Sequence, residues 1–338
     1  MQVGWSVVVG AGLSATLLGV VACLDGPAVA DSNKGAMQAK VLQRIQLSAP
    51  VVCDRLAWGA DSRRVAVGSL LDKHVGIYDI ATGQRLPGPV DQPVGVQALT
   101  YSPDGRYLAV ARGQVDRKAP PFVVSLWDAS TAAHIQDLIE SNRAEVRDFT
   151  VRSMAFSPDS RHLAVSYLDG VFFYDVQVPG KARRVGRTQS AEFVAFSPDS
   201  AQSALATAKG IQIVEVSGHR VVTTVLQHSR VLVFTPDGRF LVSAAGPEIQ
   251  IFDTPRWETA ATLHTGDDFN IKSLSTSPNG RYLAAATGKV AKVWELASRS
   301  PIANLADHKE VVLAALFSPN GKMLAACGGE FLTIWEVQ

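Results

Sequence analysis

Cysteine is scarce in this 338-residue chain: only Cys23, Cys53 and Cys327 occur, none in a C-x-x-C pair. No histidine stands at metal-ligand spacing to them, so a structural zinc site has no donor set and no metal is expected. The seven histidines are scattered and are read as surface or loop residues. An excess of one charge is missing too. There are 32 basic and 31 acidic residues for a net charge of +1, which leaves no chain-wide pull toward nucleic acid or anionic lipid. The catalytic signatures G-x-S-x-G, H-E-x-x-H, the P-loop and the Rossmann glycine run are all absent, and no cofactor is expected. What the chain has in quantity is apolar material: 47% of residues are hydrophobic and 19% charged, ample for a large buried core.

One long hydrophobic run exists, Trp5 to Leu24, closed by the first charge at Asp25. Ala28-Val29-Ala30 then offers a small-x-small site, which fits a secretory signal peptide cleaved after Ala30. No Lys or Arg precedes the run. Other readings stay open: Val20-Val21-Ala22-Cys23 is similar to a lipoprotein signal that would lipidate Cys23, and the run is about long enough to span a bilayer uncleaved. A chain that is not exported is the fourth. The expectation is export to the periplasm or outside the cell, with membrane contact only through this segment. Residues 1–30 are assigned to the signal or anchor, 31–39 to a linker, and 40–338 to the folded body.

That body repeats one pattern seven times. The copies open Trp58-Gly-Ala-Asp-Ser-Arg, Tyr101-Ser-Pro-Asp-Gly-Arg, Phe156-Ser-Pro-Asp-Ser-Arg and Phe196-Ser-Pro-Asp-Ser-Ala, then Phe234-Thr-Pro-Asp-Gly-Arg, Thr276-Ser-Pro-Asn-Gly-Arg and Phe317-Ser-Pro-Asn-Gly-Lys. A spacing near forty suits a four-stranded propeller blade. Proline presets the first corner of a turn, Asp or Asn accepts its amides, and glycine takes the left-handed position. Short apolar strands flank each turn. A third strand ends in Tyr78-Asp79, Trp127-Asp128, Tyr174-Asp175, Val214-Glu215, Phe252-Asp253, Trp294-Glu295 or Trp335-Glu336. Copy four is the weakest, with Ser203 and Val214 at positions that are larger elsewhere.

These features resemble the WD-repeat family, as a divergent, bacterial-type exported member. Trp127-Asp128 is the one literal W-D pair, and the Gly-His pair that opens such repeats is missing, so most blades lack the parts of the Asp-His-Ser-Trp network. The resemblance implies an all-β fold: a seven-bladed β-propeller of four-stranded antiparallel blades. Lys40 to Leu47 has no blade of its own and is expected to complete blade seven, joining the two chain ends and removing a free edge. This brings Cys53 near Cys327. An oxidising compartment would allow a disulfide across the seam, and two small buried thiols are the plainer alternative.

For function, the expectation is a non-catalytic scaffold, a monomeric propeller that binds a protein partner through its loop face. Two inserts there carry the candidate residues: Arg112, Arg117 and Lys118 after the second strand of blade two, and Arg143, Arg147 and Phe149 in the connection to blade three. Such a sector would suit an acidic or mixed-charge partner with Phe149 as apolar anchor; neutral loop drift with solvated charges is the competing explanation. The alternative function is an exported propeller enzyme or small-molecule binder that uses the central channel, as exported propellers resembling this one do.

Overall fold

In a computed structural model of the chain, the described residues are 37–47, 53–70, 75–89, 95–112, 124–138, 150–167, 169–306 and 308–338. The first 36 residues, including Cys23, lie outside them. The described residues contain seven four-stranded antiparallel sheets, six of them built from consecutive strands. Blade two, for example, runs Val96–Tyr101, Tyr107–Arg112, Val124–Asp128 and His134–Leu138 from the axis outward. The seventh has Ala314–Phe317, Met323–Gly328 and Phe331–Val337 from the end of the chain, and Ala39–Gln46 from its beginning.

The closing strand pairs Ala39 with Val337 and Gln46 with Phe331. Its register slips between Val41 and Gln43, opposite Trp335 and Ile334. Blades two to six carry the same slip at the same place, before Trp127, Tyr174, Val214, Phe252 and Trp294. The borrowed strand therefore reproduces the geometry of the outer strands that are continuous with their blades. The bulge divides the strand: Ile45 and Leu47 are buried while Val41 and Leu42 are exposed. The fold also begins slightly before residue 40, since Met37 is buried against blades six and seven and Gln38 accepts the Gln338 amide.

Because side chains alternate across a strand, each blade offers one apolar face to each neighbour. In blade three, Leu163, Val165, Tyr167, Phe172 and Tyr174 pack toward blade two, whereas Ala164, Val171 and Phe173 pack toward blade four. The core is thus divided into seven clusters, one for each seam. Fully burying one Leu or Phe contributes about 1.5–3 kcal/mol, so each seam is a substantial hydrophobic joint.

The repeated turns form a second ring on one face. In six of them the opening Ser or Thr donates its hydroxyl to the Asp or Asn two residues on and accepts the amide five residues on, as Ser102 does with Asp104 (2.7 Å) and Tyr107 (2.9 Å). Ser318 repeats this with Asn320 and Met323. The following residue has positive φ in all seven turns: Ser62, Gly105, Ser160, Ser200, Gly238, Gly280 and Gly321. Where that residue is serine, its hydroxyl accepts an amide from the preceding blade: Asp104 to Ser160 (3.0 Å), Asp159 to Ser200 (3.1 Å) and Asn320 to Ser62 (3.0 Å). Where it is glycine, it faces Ala60, Pro198, Pro236 or Pro278 of the preceding blade. All seven seams are accounted for by one contact or the other.

Candidate functional site

The opposite face carries the connections that enter each inner strand. Each inner strand starts from an equivalent station: Asp54, Gln97, Arg152, Glu192, Arg230, Lys272 and Leu313. In five blades the station's amide bonds the end of the second strand, as Glu192 does with Ala206 (2.7 Å), Arg230 with Ala244 (2.9 Å) and Lys272 with Ala286 (2.9 Å). Gln97 and Arg152 sit instead at register slips. Six of the seven stations thus carry a polar side chain at the head of an inner strand. The signal was present in the sequence as a polar residue at the head of six of the seven apolar runs, and it was not singled out there.

Blades one to four are tied to one another at or beside their stations. Arg55 donates to the carbonyl of Gln97, whose side-chain oxygen accepts the Val151 amide at 2.8 Å. Arg152 then lies 3.7 Å from Glu192. Burial pushes the Asp54 carboxyl above its ordinary range, only partly offset by the adjacent Arg55. Arg230 and Lys272 differ. They are exposed, stand on adjacent blades, and have no ion-pair partner among the described residues. Three exposed apolar side chains lie on the connections into blades five, six and seven: Leu226 (88% exposed), Phe269 (57%) and Val311. Phe269 is held in place by Asp267, which accepts its amide (3.1 Å) and the Thr287 hydroxyl (3.0 Å).

Of the residues expected to bind a partner, Arg112 is described, and it ends the second strand of blade two on this same face. Its guanidinium turns back onto its own blade, 3.3 Å from the Ser125 hydroxyl and 3.7 Å from Asp137. Ser125 and His134 both bond Asp137, at 2.6 and 2.9 Å. Burial pushes the Asp137 carboxyl up, and these partners outweigh it to hold it below the ordinary range. Serine and histidine meet the carboxylate and not each other, so this cluster orients strands and is no nucleophile relay. Arg117, Lys118, Arg143, Arg147 and Phe149 lie outside the described residues. So does the hydrophobic segment expected to direct export.

Cys53 and Cys327 are joined, with Cα atoms 5.7 Å apart across the seam between blades one and seven. Among the described residues no group of three or more His, Cys, Asp or Glu side chains is placed to hold a metal ion.

Comparison with known proteins places these features in a family context. The WD40 signature, described as WD domain, G-beta repeat, matches residues 144–173, 257–295 and 299–336. The chain is 26% identical over 63% of its length to the transcriptional corepressor LEUNIG_HOMOLOG of Arabidopsis thaliana. It is 30% identical over 45% of its length to an uncharacterized WD repeat-containing protein of Synechocystis sp.. These alignments span 26% and 42% of the two relatives' own lengths.

Proposed function

We propose, from the premise that this chain belongs to the WD40-repeat β-propellers, that it is an exported scaffold recognising a protein partner through the face onto which its inner-strand connections open. Propellers of this family typically act as protein-interaction scaffolds and are usually non-catalytic, which supports the general reading. The observation that carries the particular one is the uneven mouth. Blades one to four are joined near their stations by Arg55, Gln97 and the Arg152–Glu192 pair, whereas Arg230 and Lys272 of blades five and six have no ion-pair partner among the described residues. These two follow connections that expose Leu226 and Phe269, as the next connection exposes Val311. Unpaired cations interleaved with exposed apolar side chains suit an acidic partner surface with an apolar centre. The inserts 113–123 and 139–149 lie outside the described residues. Their Arg117, Lys118, Arg143, Arg147 and Phe149 join the proposed face because the described strand ends nearest them, Arg112, Val124, Leu138 and Val151, belong to blades two and three.

Export is supported by the apolar run ending in Ala28-Val29-Ala30 and by the paired cysteines, which oxidising compartments maintain. Sequencing the mature N-terminus distinguishes cleavage after Ala30, lipidation at Cys23 and retention.

The binding face is tested by partner capture from the source envelope with two variants, Arg230→Glu/Lys272→Glu/Phe269→Ala and Arg112→Ala/Arg117→Ala/Arg143→Ala/Arg147→Ala. Loss of tenfold or more in the affinity of the captured partner for the first variant is expected, about 1.4 kcal/mol. Unchanged capture by both would remove this face from consideration.

A further inference from the structure

On the face of the repeated turns, between blades four and five, a cavity of about 500 Å³ opens. Pro198, Phe234, Pro255 and Trp257 line it, and two carboxylates stand in it, Asp199 and Asp237. Each carboxylate spends one oxygen on its own turn. Asp199 Oδ1 accepts the Ser197 hydroxyl (2.5 Å) and the Ala201 amide (3.0 Å); Asp237 Oδ1 accepts the Thr235 hydroxyl (2.6 Å) and the Arg239 amide (3.0 Å). The second oxygen of each takes no hydrogen bond among the described residues.

In blades one and two that second oxygen is occupied, while among the described residues Asp159 of blade three accepts on Oδ1 alone and blades six and seven carry Asn279 and Asn320. Arg64 binds Asp61 Oδ2 at 2.7 Å, and Arg106 binds Asp104 Oδ2 at 2.5 Å. Blade four has Ala201 where blade two has Arg106, so Asp199 has lost its cation. In blade five Arg239 lies over the Phe240 ring, as Arg106 lies over Tyr107, and its charge acts on Asp237 through space with no side-chain hydrogen bond to it among the described residues. Both carboxylates are held below the ordinary range. The Ser197 hydroxyl and the Ala201 amide do this for Asp199; for Asp237 burial pushes the other way and is outweighed by Thr235 and the Arg239 amide.

We propose that this cavity is a second recognition site, which takes the arginine side chain of a partner polypeptide. Two free carboxylate oxygens match a forked, planar cation better than a point charge. The Trp257 ring offers that plane a stacking surface, and the prolines and Phe234 cover its aliphatic stem. Trp257 is itself a departure from the pattern: the equivalent turn residues in other blades are Gly83, Ala132, Gly180, His219 and Arg299. The site lies on the opposite face from the mouth, so it stands or falls independently of the binding face proposed above.

The test is calorimetric titration of the full chain with acetyl-Ala-Arg-Ala-amide and its citrulline counterpart, which has the same shape and no charge. The arginine peptide should bind at least tenfold more tightly. Ala201→Arg should weaken that binding tenfold or more by returning to blade four the cation that blade two has. Asp199→Asn/Asp237→Asn should do the same and still fold, because Asn279 and Asn320 already serve in the turns of blades six and seven. Arg230→Glu/Lys272→Glu should leave it unchanged. Equal binding of the two peptides, no binding at millimolar peptide, insensitivity to Ala201→Arg, or loss in the mouth variant would each overturn the assignment. Free arginine binding as tightly as the peptide would overturn its polypeptide part.

Discussion

Ser62, Ser160 and Ser200 hold left-handed backbone at positions where the other four turns use glycine, and their hydroxyls receive the preceding blade's amide. Two opposed effects can therefore be separated by substitution. Ser160→Ala keeps the Cβ and its conformational cost but strands the Asp104 amide, so about 1–2 kcal/mol should be lost in denaturant unfolding. Ser160→Gly loses the same hydrogen bond while relieving the left-handed strain, so it should be the more stable of the two. An alanine variant as stable as wild type would mean that the hydroxyl contributes nothing at the seam. Carboxylates give a second test at this scale. The Ser130 hydroxyl and Thr131 amide hold Asp128 down at about 2, against an ordinary 3.8. A depressed folded value stabilises the fold above the unfolded value and ceases to do so as pH falls through the folded one. Asp61, Asp79, Asp104, Asp199 and Asp237 shift the same way. The unfolding midpoint should therefore drop as pH falls from about 4 toward 2. Asp128→Asn should flatten that slope, and a slope unchanged by it would remove Asp128 as a contributor.

The outer strands show how a packing detail escapes a pattern that announces the fold. Seven turns at near-regular spacing, with an aromatic or apolar residue closing each third strand, made the blade count and the closing role of residues 40–47 legible from sequence. The bulge was not legible, because it depends on how an outer strand bends around the residue at the third strand's end, and nothing in Val41-Leu42-Gln43 marks it. The mouth divides similarly. A polar residue at the head of six of the seven apolar runs was visible, whereas which of them pair with one another depends on neighbours about forty residues away, as with Arg152 and Glu192. Gly186 illustrates the same limit. It looks like an ordinary interruption of a basic outer strand, yet a Cβ there would run into the His219 ring, and that ring packs on Phe173 with centroids 5.0 Å apart. Gly186→Ala should therefore cost about 1–3 kcal/mol at the seam of blades three and four. Hydrogen exchange slowest to recover protection in Phe193–Phe196 would confirm the location, and an effect confined to the outer edge would not.

At the scale of the whole ring, one seam is closed twice. Ala39–Gln46 completes blade seven and leads directly into blade one, while Cys53 and Cys327 join the same two blades covalently, 274 residues apart in sequence. Chain-entropy arguments put a ceiling of roughly 5 kcal/mol on a cross-link of that span, less whatever structure the unfolded chain retains. Both cysteines are completely buried, so reductant should act slowly on the folded ring and rapidly in denaturant. The two closures hold one joint, so they should not contribute additively. Removing the outer strand leaves the cross-link to keep blades one and seven together, though the bared edge of Phe331–Val337 invites association between copies. Replacing both cysteines with serine leaves the strand to do so. Losing both should open the seam and destabilise the ring by more than the sum of the single losses. Denaturant unfolding of all four forms, with light scattering to follow association, checks this directly. A double variant that loses only the sum would show that strand and disulfide stabilise separate parts of the molecule.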